Sequence, residues 1–570
     1  MATAQQRSVA ATHEVFNQPP PLENHNVFGA DLALLEAVER EGAGWAVESI
    51  AELGAICGRP DVIRLGVEAN ENPPRLRTHD RFGHRVDEVE FHPAWHELMR
   101  VGISHGLHAS PWRDPQPGAH VARGAAFMAL TQVEAGVGCP ISMTYSVIPA
   151  LRMQPELAAE WEPRFLSLEY DGERLVPAPD KRGALCGMGM TEKQGGSDVR
   201  ANTTVARPLN GGGPGEEYEI TGHKWFFSAP MCDAFLVLAQ ADGGLSCFLM
   251  PRFTPDGERN AIHLQRLKDK LGNRSNASSE VEFRSAWAQL VGEEGHGVRT
   301  IIEMVNHTRL DCALGSTAGI RFGTAMATHH AAHRSAFGKT LADQPLMQNV
   351  LADLCVESEA ATVSVMRLAR AYDEALPPDT SASRAGAAGS DQEHATELKR
   401  LANAVLKYWT CKRGPAHAVE SLECLGGNGF VEESGMPRLY RESPLASIWE
   451  GSGNVQCLDV LRAMARNPAS MEAFFAEIGE AAGAEPRLDS YAASVREELS
   501  DLDAIESRAR RVVERMALAL QGSLLVRFGD PAVADAFCAS RLAGDWGQAF
   551  GTLPAGTDFE RIVERHTPRA

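Results

Sequence analysis

Residues Gly187 to Asp198 read GMGMTEKQGGSD, and they stand where the chain changes texture. Upstream, from Asp31 to about Asp180, apolar residues recur at spacings of three and four, as in GAHVARGAAFMALTQVEAGVG (118–138), the period of a helix. Downstream, to about Gly292, short runs such as YEIT, KWFF, AFLVLAQ, LSCFLM and SEVEF alternate with Gly, Pro and Asn, as strands and their turns do. From Val298 to Arg466 helical periodicity returns, interrupted by LPPDTSASRAGAAGSDQEHATE (376–397), which reads as a loop poor in large apolar residues. Past Asn467-Pro468 the pattern is again helical and contains no lysine. Before all of this, NQPPPLENHNVFGAD from Asn17 carries three consecutive prolines, which exclude a helix and favour an extended arm on the surface or on another subunit. The division that follows is an arm (1–30), an N-terminal helical domain (31–182), a β domain (183–292), a C-terminal helical domain (293–466) and a helical extension (467–570). The fold class is α+β.

Composition sets the outer bounds. The 570 residues are 44% hydrophobic and 23% charged, an ordinary globular balance with material for a large core. A formal charge of −20 argues against a generally basic nucleic-acid binder, although a local basic patch is compatible with it. Eleven scattered cysteines without a CxxC read as reduced thiols, hence a cytoplasmic protein. The opening MATAQQRSVAATHEVF lacks the apolar core of a secretory signal, and no run reaches the 18 or so apolar residues of a membrane helix.

Three motifs invite chemistry that their context withholds, and a fourth is missing. His329 and His333 in HHAAH share a helical face, but His330 occupies the place where a zinc-protease helix carries its glutamate, so no metal site is expected. NGGGPG (210–215) lacks the Lys-Ser/Thr of a phosphate loop and reads as a hairpin tip. GISHG (102–106) follows a helical pattern rather than a buried strand, which suits a helix-ending glycine better than a nucleophile elbow. No GxGxxG fingerprint opens a helix. A serine hydrolase and a nicotinamide dehydrogenase both lose ground.

What remains is the handover loop 187–198, the strand GHKWFFS (222–228) and the octet SIWEGSGN (447–454). Glycines, Thr and Ser let backbone amides and hydroxyls approach a ligand, yet a domain-crossing loop wants the same glycines. In the octet, Glu450 has no Lys, Arg or His within five residues on either side. Apolar surroundings without a cation raise a carboxylate pKa, as a general base near neutrality requires. A loop glutamate ending a helix before glycine is the equal alternative.

Taken in order, GMGMTEKQGGSD, GHKWFFS, HRSAFGK (333–339), LGGNGF (425–430) and SIWEGSGN resemble the acyl-CoA dehydrogenase flavoproteins. The resemblance implies helical, β-barrel-like and helical domains, FAD as cofactor, an acyl-CoA or similar small-molecule substrate, and a homotetramer. By match, Met190, Thr191 and Ser197 face the flavin, as do Phe226, Phe227 and Ser228 on its other side. Arg334 and Phe337 hold the pyrophosphate region. Gly426, Gly427, Ser452, Gly453 and Asn454 line the adenosine side, with Ile448 and Trp449 beside them. Ser197 and Arg309 would meet substrate. Glu450 falls at the catalytic base, because the alternative position for that base in the family is Thr308 here. Glu423 stands where many relatives carry Gln, and Met188 replaces a frequent aromatic. The proline arm, the Trp449-Glu450 pair and the extension resemble the AidB-type, alkylation-response branch, which implies binding of double-stranded DNA. Residues 466–570 hold 12 Arg and no Lys against 17 Asp and Glu, a net of −5, so charge alone opposes that. Arg508, Arg511 and Arg515 nevertheless share one helical stripe, which Arg462, Arg527 and Arg541 would join only if the fold brought them close. A solvated face with Glu506 and Glu514 pairing the arginines is the alternative.

Overall fold

The structure, a computed structural model, describes residues 12–173, 175–376 and 389–569. The N-terminal helices are α1 Leu32–Val38, α2 Val47–Cys57, α3 Pro60–Glu71, α4 Pro93–Ser104, the one-turn α5 Ser110–Arg113, α6 Ala119–Val133, α7 Gly138–Leu151 and α8 Pro155–Phe165, with a hairpin of β1 Arg75–His79 and β2 Arg85–Glu90 between α3 and α4. Proline opens α3, α4 and α8 at the first turn, where its missing N–H has no helical partner to lose. GISHG ends α4, with Gly106 at a left-handed φ of 71°. Almost every residue of α6 and α7 is buried, so these two helices form the centre of their domain rather than its shell.

Seven strands make the β domain: β3 Cys186–Gly189, β4 Val205–Pro208, β5 Glu217–Ser228, β6 Ala234–Ala241, β7 Gly244–Pro251, β8 Ile262–Leu267 and β9 Ser278–Leu290. β5 pairs with β9, β9 with β7, β7 with β6, and β6 with β3 and β4, which return to β5. That circuit closes the sheet into a barrel and removes most of its edges. The runs AFLVLAQ and LSCFLM, without alternation, are β6 and β7, each strand buried except at one end. β5 carries the register irregularity that matters for function. Its pairing with β9 skips between Lys224 and Phe227, and such a bulge re-aims the side chains at a strand end.

The C-terminal domain is built on α9 Gly297–His333, followed by a small hairpin, β10 Ser335–Ala336 and β11 Lys339–Thr340, then α10 Pro345–Glu374, α11 Gly389–Cys424, the short α12 Met436–Glu442 and α13 Gly453–Arg466. α9 packs against α10 and α11 and also against α6 and α7. The buried pair Arg123 and Asp311 joins these two domains, with Nη2–Oδ2 at 2.8 Å and a second bond from Nη1 to Oδ1. The sequence reading extended the loop after Leu376 to residue 397. Helix α11 begins at Gly389, while 377–388 lie outside the described residues. SDQEHATE is polar but contains nothing that breaks a helix, and its register continues into the buried Ala395 and Leu398.

The extension consists of α14 Pro468–Gly479, α15 Pro486–Ser500, α16 Ile505–Phe528, α17 Pro531–Phe537 and α18 Phe559–His566. It does not stand apart. α16 lies on α10, α11 and α13. Trp409 donates its indole N–H to Gln521 (3.1 Å). The buried Arg541 pairs with Asp353 and Glu357, and Arg413 reaches the same Glu357 at 3.0 Å. Arg565 and His566 of α18 converge on Glu359 of α10 at 2.9 and 3.1 Å. Burial works against charge on Glu357, yet Arg413 and Arg541 hold its pKa down at about 2. All 11 cysteines are buried thiols. Among the described residues no helix is long and apolar enough to cross a membrane.

Candidate active site

The handover loop is anchored by a buried ion pair. Glu192 and Lys224, both without solvent access, meet at 2.8 Å. The Glu192 carboxylate also accepts the backbone N–H groups of Thr203 (2.7 Å) and Thr204 (3.1 Å), while the Trp225 N–H donates to Thr191 O (2.8 Å). Burial pushes the Lys224 ammonium down to about 8 against the pull of Glu192. The Lys224 and Trp225 bonds tie the loop to the end of β5, and the Thr203 and Thr204 bonds tie it to the segment that enters β4. Met190 and Thr191 are half-buried beside that strand end, where Met188 pairs with Ser228, and Ser197 is exposed farther along the loop. The β5 bulge turns Phe226 outward, 47% exposed, with the Lys268 ammonium 4.7 Å from its ring centre. Phe227 must be withdrawn from the surface set. It lies inside the barrel, its ring 4.2 Å from that of Phe235 and 5.8 Å from that of Phe283, because alternation along the strand sends it to the opposite side from Phe226.

A second group forms where the proline arm crosses the end of α9. Asn17 takes both backbone groups of Ser335, donating at 2.9 Å and accepting at 2.8 Å, and its carbonyl accepts Arg334 Nη1 at 2.5 Å. Gln18 accepts from Asn428 Nδ2 at 3.3 Å, and His329 donates to Pro20 O at 2.8 Å. The arm therefore lies on its own chain and joins the Arg334–Gly338 turn to the Gly426–Asn428 turn. Beside it Phe337 is 99% exposed at a left-handed φ of 53°. A Cβ added to Gly426 or Gly427 would meet no described atom within 4 Å. Among the described residues no group of three or more His, Cys, Asp or Glu is disposed to hold a metal ion.

The third group surrounds Glu450. The residue is half-buried at φ 56°, a left-handed conformation uncommon outside glycine. Its Oε2 accepts the Thr308 hydroxyl at 2.7 Å, and no described residue bonds Oε1. The isolation expected from the octet is local only. Arg309 on α9 donates Nε to Glu450 O at 3.1 Å, and Lys407 on α11 donates to the carbonyls of Trp449 (2.7 Å) and Gly451 (2.5 Å). Burial raises the Glu450 pKa all the same, outweighing the Thr308 hydrogen bond and the charges of Lys407 and Arg309. Arg309 does not face an open substrate side. Its guanidinium is buried on Asp459 (2.9 Å), which Arg400 also holds at 2.9 Å. Lys407, Gln456 and Asp459 escaped the sequence reading, as did the bond from Thr308 to Glu450. Thr308 and Lys407 stand on α9 and α11 at distances along the chain that no motif spans, while Gln456 and Asp459 follow on α13 just past the octet.

Around the octet, Ile448 is exposed, and the indole N–H of Trp449 is buried without a partner among the described residues. Ser452 is half-buried and precedes α13, Gly453 packs on Lys412 and Tyr408, and Asn454 accepts Arg510 Nε at 2.8 Å. An unpartnered buried donor and an outward aromatic at the β5 end suit a large planar ring, and a bare glycine backbone joined through the arm to Arg334 suits an anionic tail.

On the extension, Arg508, Arg511 and Arg515 do converge, but on Glu498 of α15, at 3.8 and 3.1 Å for the first two and through a direct bond for the third. Among the described residues Glu506 and Glu514 form no ion pair with them, although Arg511 acts on Glu514 through its charge. Arg462 is exposed in a separate cleft with Arg400 and Arg466. Arg527 pairs with Glu477 (2.7 Å), and Arg541 is buried on Asp353, so neither joins the stripe.

Three family profiles match the chain: Adaptive response protein AidB N-terminal domain over 17–172, Acyl-CoA dehydrogenase middle domain over 187–286, and Acyl-CoA dehydrogenase C-terminal domain over 295–465. The Escherichia coli (strain K12) protein AidB, whose name assigns it to the acyl-CoA dehydrogenases, is 46% identical over 529 residues, 92% of this chain and 94% of its own. Acyl-CoA dehydrogenase family member 11 of Caenorhabditis elegans is 31% identical over 70% of this chain and 64% of its own. The crystal structure of C. elegans ACDH-11 in complex with C11-CoA superposes with a TM-score of 0.82 at 25% identity, covering 100% of this chain and 95% of that one.

The raised pKa of Glu450 makes a stability prediction. Its ionised form opposes folding at pH values above the range where ordinary glutamates titrate, near 4.5. Below that range the side chain is neutral in the folded and unfolded states alike, and the opposition vanishes. Glu450→Gln is expected to raise Tm at neutral pH, with the gain shrinking to nothing as pH falls below 4.5. Thermal melts of both proteins across that range check it; equal Tm values throughout would refute it.

Proposed function

The chain belongs to the AidB-type branch of the acyl-CoA dehydrogenases, an FAD-dependent oxidoreductase family, and from that premise we propose that it oxidises an acyl-CoA, or a related C–H acid, with Glu450 as the base. The observation that carries the reading is the carboxyl itself: desolvated, raised in pKa, bonded at Oε2 by Thr308 and left with Oε1 unbonded. Oε1 is then the atom that takes the α-proton. The Thr308 hydroxyl fixes the rotamer and stabilises the charge that the carboxylate carries before transfer. FAD, held by Met190, Thr191, Phe226 and Ser228 at the ring and by Arg334, Gly426 and Gly427 toward the pyrophosphate and adenosine, supplies the hydride acceptor when bound. The outward Phe226 and the buried indole of Trp449 would exclude water from the reacting carbons. That a related protein was solved with C11-CoA supports a medium-length acyl-CoA. Anaerobic mixing with a panel of acyl-CoAs should bleach the yellow wild-type protein. Glu450→Gln should retain FAD and bleach at least ~10²-fold more slowly. A wild type that no acyl-CoA bleaches would sink the thioester reading.

Assembly and partners complete the proposal. Phe337, Leu346 and Phe430 are largely exposed apolar side chains in the C-terminal domain, which supports burial between subunits of a cytoplasmic homotetramer. Sedimentation of the FAD-loaded protein as a stable monomer would reject the tetramer. Double-stranded DNA is the proposed second partner, through Arg508, Arg511 and Arg515, with Arg462 as a separate contact. Three guanidiniums gathered on the single carboxylate of Glu498 leave a local positive excess for phosphate. A dehydrogenase without DNA binding is the second reading, favoured by Asp501, which takes Arg508 at 3.2 Å. Duplex affinity is expected to be independent of sequence and to fall steeply with salt. Replacing the three arginines with alanine should weaken it and leave FAD content unchanged; affinity untouched by that change would reject the site.

A further inference from the structure

The peptide that carries Glu450 is gripped at three successive carbonyl oxygens. Trp449 O accepts Lys407 Nζ (2.7 Å), and Glu450 O accepts Arg309 Nε (3.1 Å) and Gln456 Nε2 (3.0 Å). Gly451 O accepts Lys407 Nζ (2.5 Å) and Gln456 Nε2 (3.1 Å). Glu450 at φ 56° and Gly451 at φ 98° are two left-handed residues in succession. The carbonyls before and after the base thereby come within reach of one ammonium.

Lys407 is the unusual member of this grip. It lies in the middle of α11, 1% exposed, and no carboxylate within ion-pair distance is found for it among the described residues. A buried ammonium without a counter-ion is unfavourable unless its donors are satisfied, and here two are satisfied only by the carbonyls flanking residue 450. Packing alone would be served better by Met or Leu. A compact ammonium on a flexible stem straddles two carbonyls in a way the planar guanidinium fork does not. We propose that Lys407 is the positioning residue for the base, holding the left-handed peptide that aims the Glu450 carboxyl. Lys407 acts through the backbone and touches neither substrate nor cofactor. Its charge also opposes the desolvation of that carboxyl.

The proposal rests on reading Glu450 as the base, and the test separates the two. In FAD-loaded protein, pH-difference infrared spectra report the Glu450 carboxyl through the band that Glu450→Gln abolishes. Lys407→Met removes a nearby positive charge, so this titration should move to higher pH. Its kcat for acyl-CoA should fall ~10²-fold, the penalty of a misplaced catalytic group, with KM changed less than ~3-fold and FAD content unchanged. Lys407→Arg keeps the charge and loses the straddle: it should restore the titration and leave kcat low. Should the Met variant not fold, Lys407→Gln keeps N–H donors without charge and should shift the titration in the same direction. In a protein that no acyl-CoA reduces the dehydrogenase reading fails, while a Glu450 carboxyl band whose frequency both Lys407→Met and Lys407→Arg change upholds Lys407 as the group that aims the acid. An unshifted titration, or a Met variant with wild-type kcat, overturns the proposal.

Discussion

Arg123 and Asp311 meet where water does not reach, one from the N-terminal domain and one from the long helix of the C-terminal domain. Removing either partner would strand a full charge, a loss of about 3–5 kcal/mol for buried pairs, so the two domains are held in one register. That register places everything near the base. Thr308 and Arg309 precede Asp311 by less than one turn of α9, the first bonding the Glu450 carboxylate and the second the Glu450 backbone carbonyl. The pair thus does for α9 what Glu192 and Lys224 do for the handover loop. Each sets an element whose side chains act several ångströms away.

The architecture was legible because each layer has its own period. β6 and β7 are unbroken apolar runs buried on both faces, and α6 and α7 repeat at helical spacing with nearly every position inside. The site was legible only as a set of short segments. Alternation along β5 decides that Phe226 faces out and Phe227 in, but a bulge sits between Lys224 and Phe227, and no local pattern announces it. The loop assigned to 389–397 is helix because Ala395 and Leu398 find partners in the bundle. A polar composition does not break a helix that tertiary burial supports.

The surroundings of Glu450 were the least legible part. Its neighbours in sequence contain no cation, while its neighbours in space include Lys407 and Arg309, each more than 40 positions away. Both charges are spent largely on backbone carbonyls and on Asp459, so the acid remains desolvated in net effect. The extension shows the same limit. The spacing of Arg508, Arg511 and Arg515 gives their common stripe, but not Glu498, which comes from the preceding helix.

The roots of the extension reach deep into the C-terminal helical domain. Asp353, Glu357 and Glu359 on α10 are buried acids whose guanidinium or imidazole partners include Arg541, Arg565 and His566, and Trp409 on α11 spends its N–H on Gln521. A cut after Arg466 would leave these acids short of their cations. The last hundred or so residues therefore cannot be gained or lost as a detachable module. A lineage trading this chain for one without the tail must first neutralise acids in α10 and repolarise the face of α11, a path of several coordinated substitutions through unstable intermediates. Geometry at one helix surface thus acts as a ratchet on gene architecture.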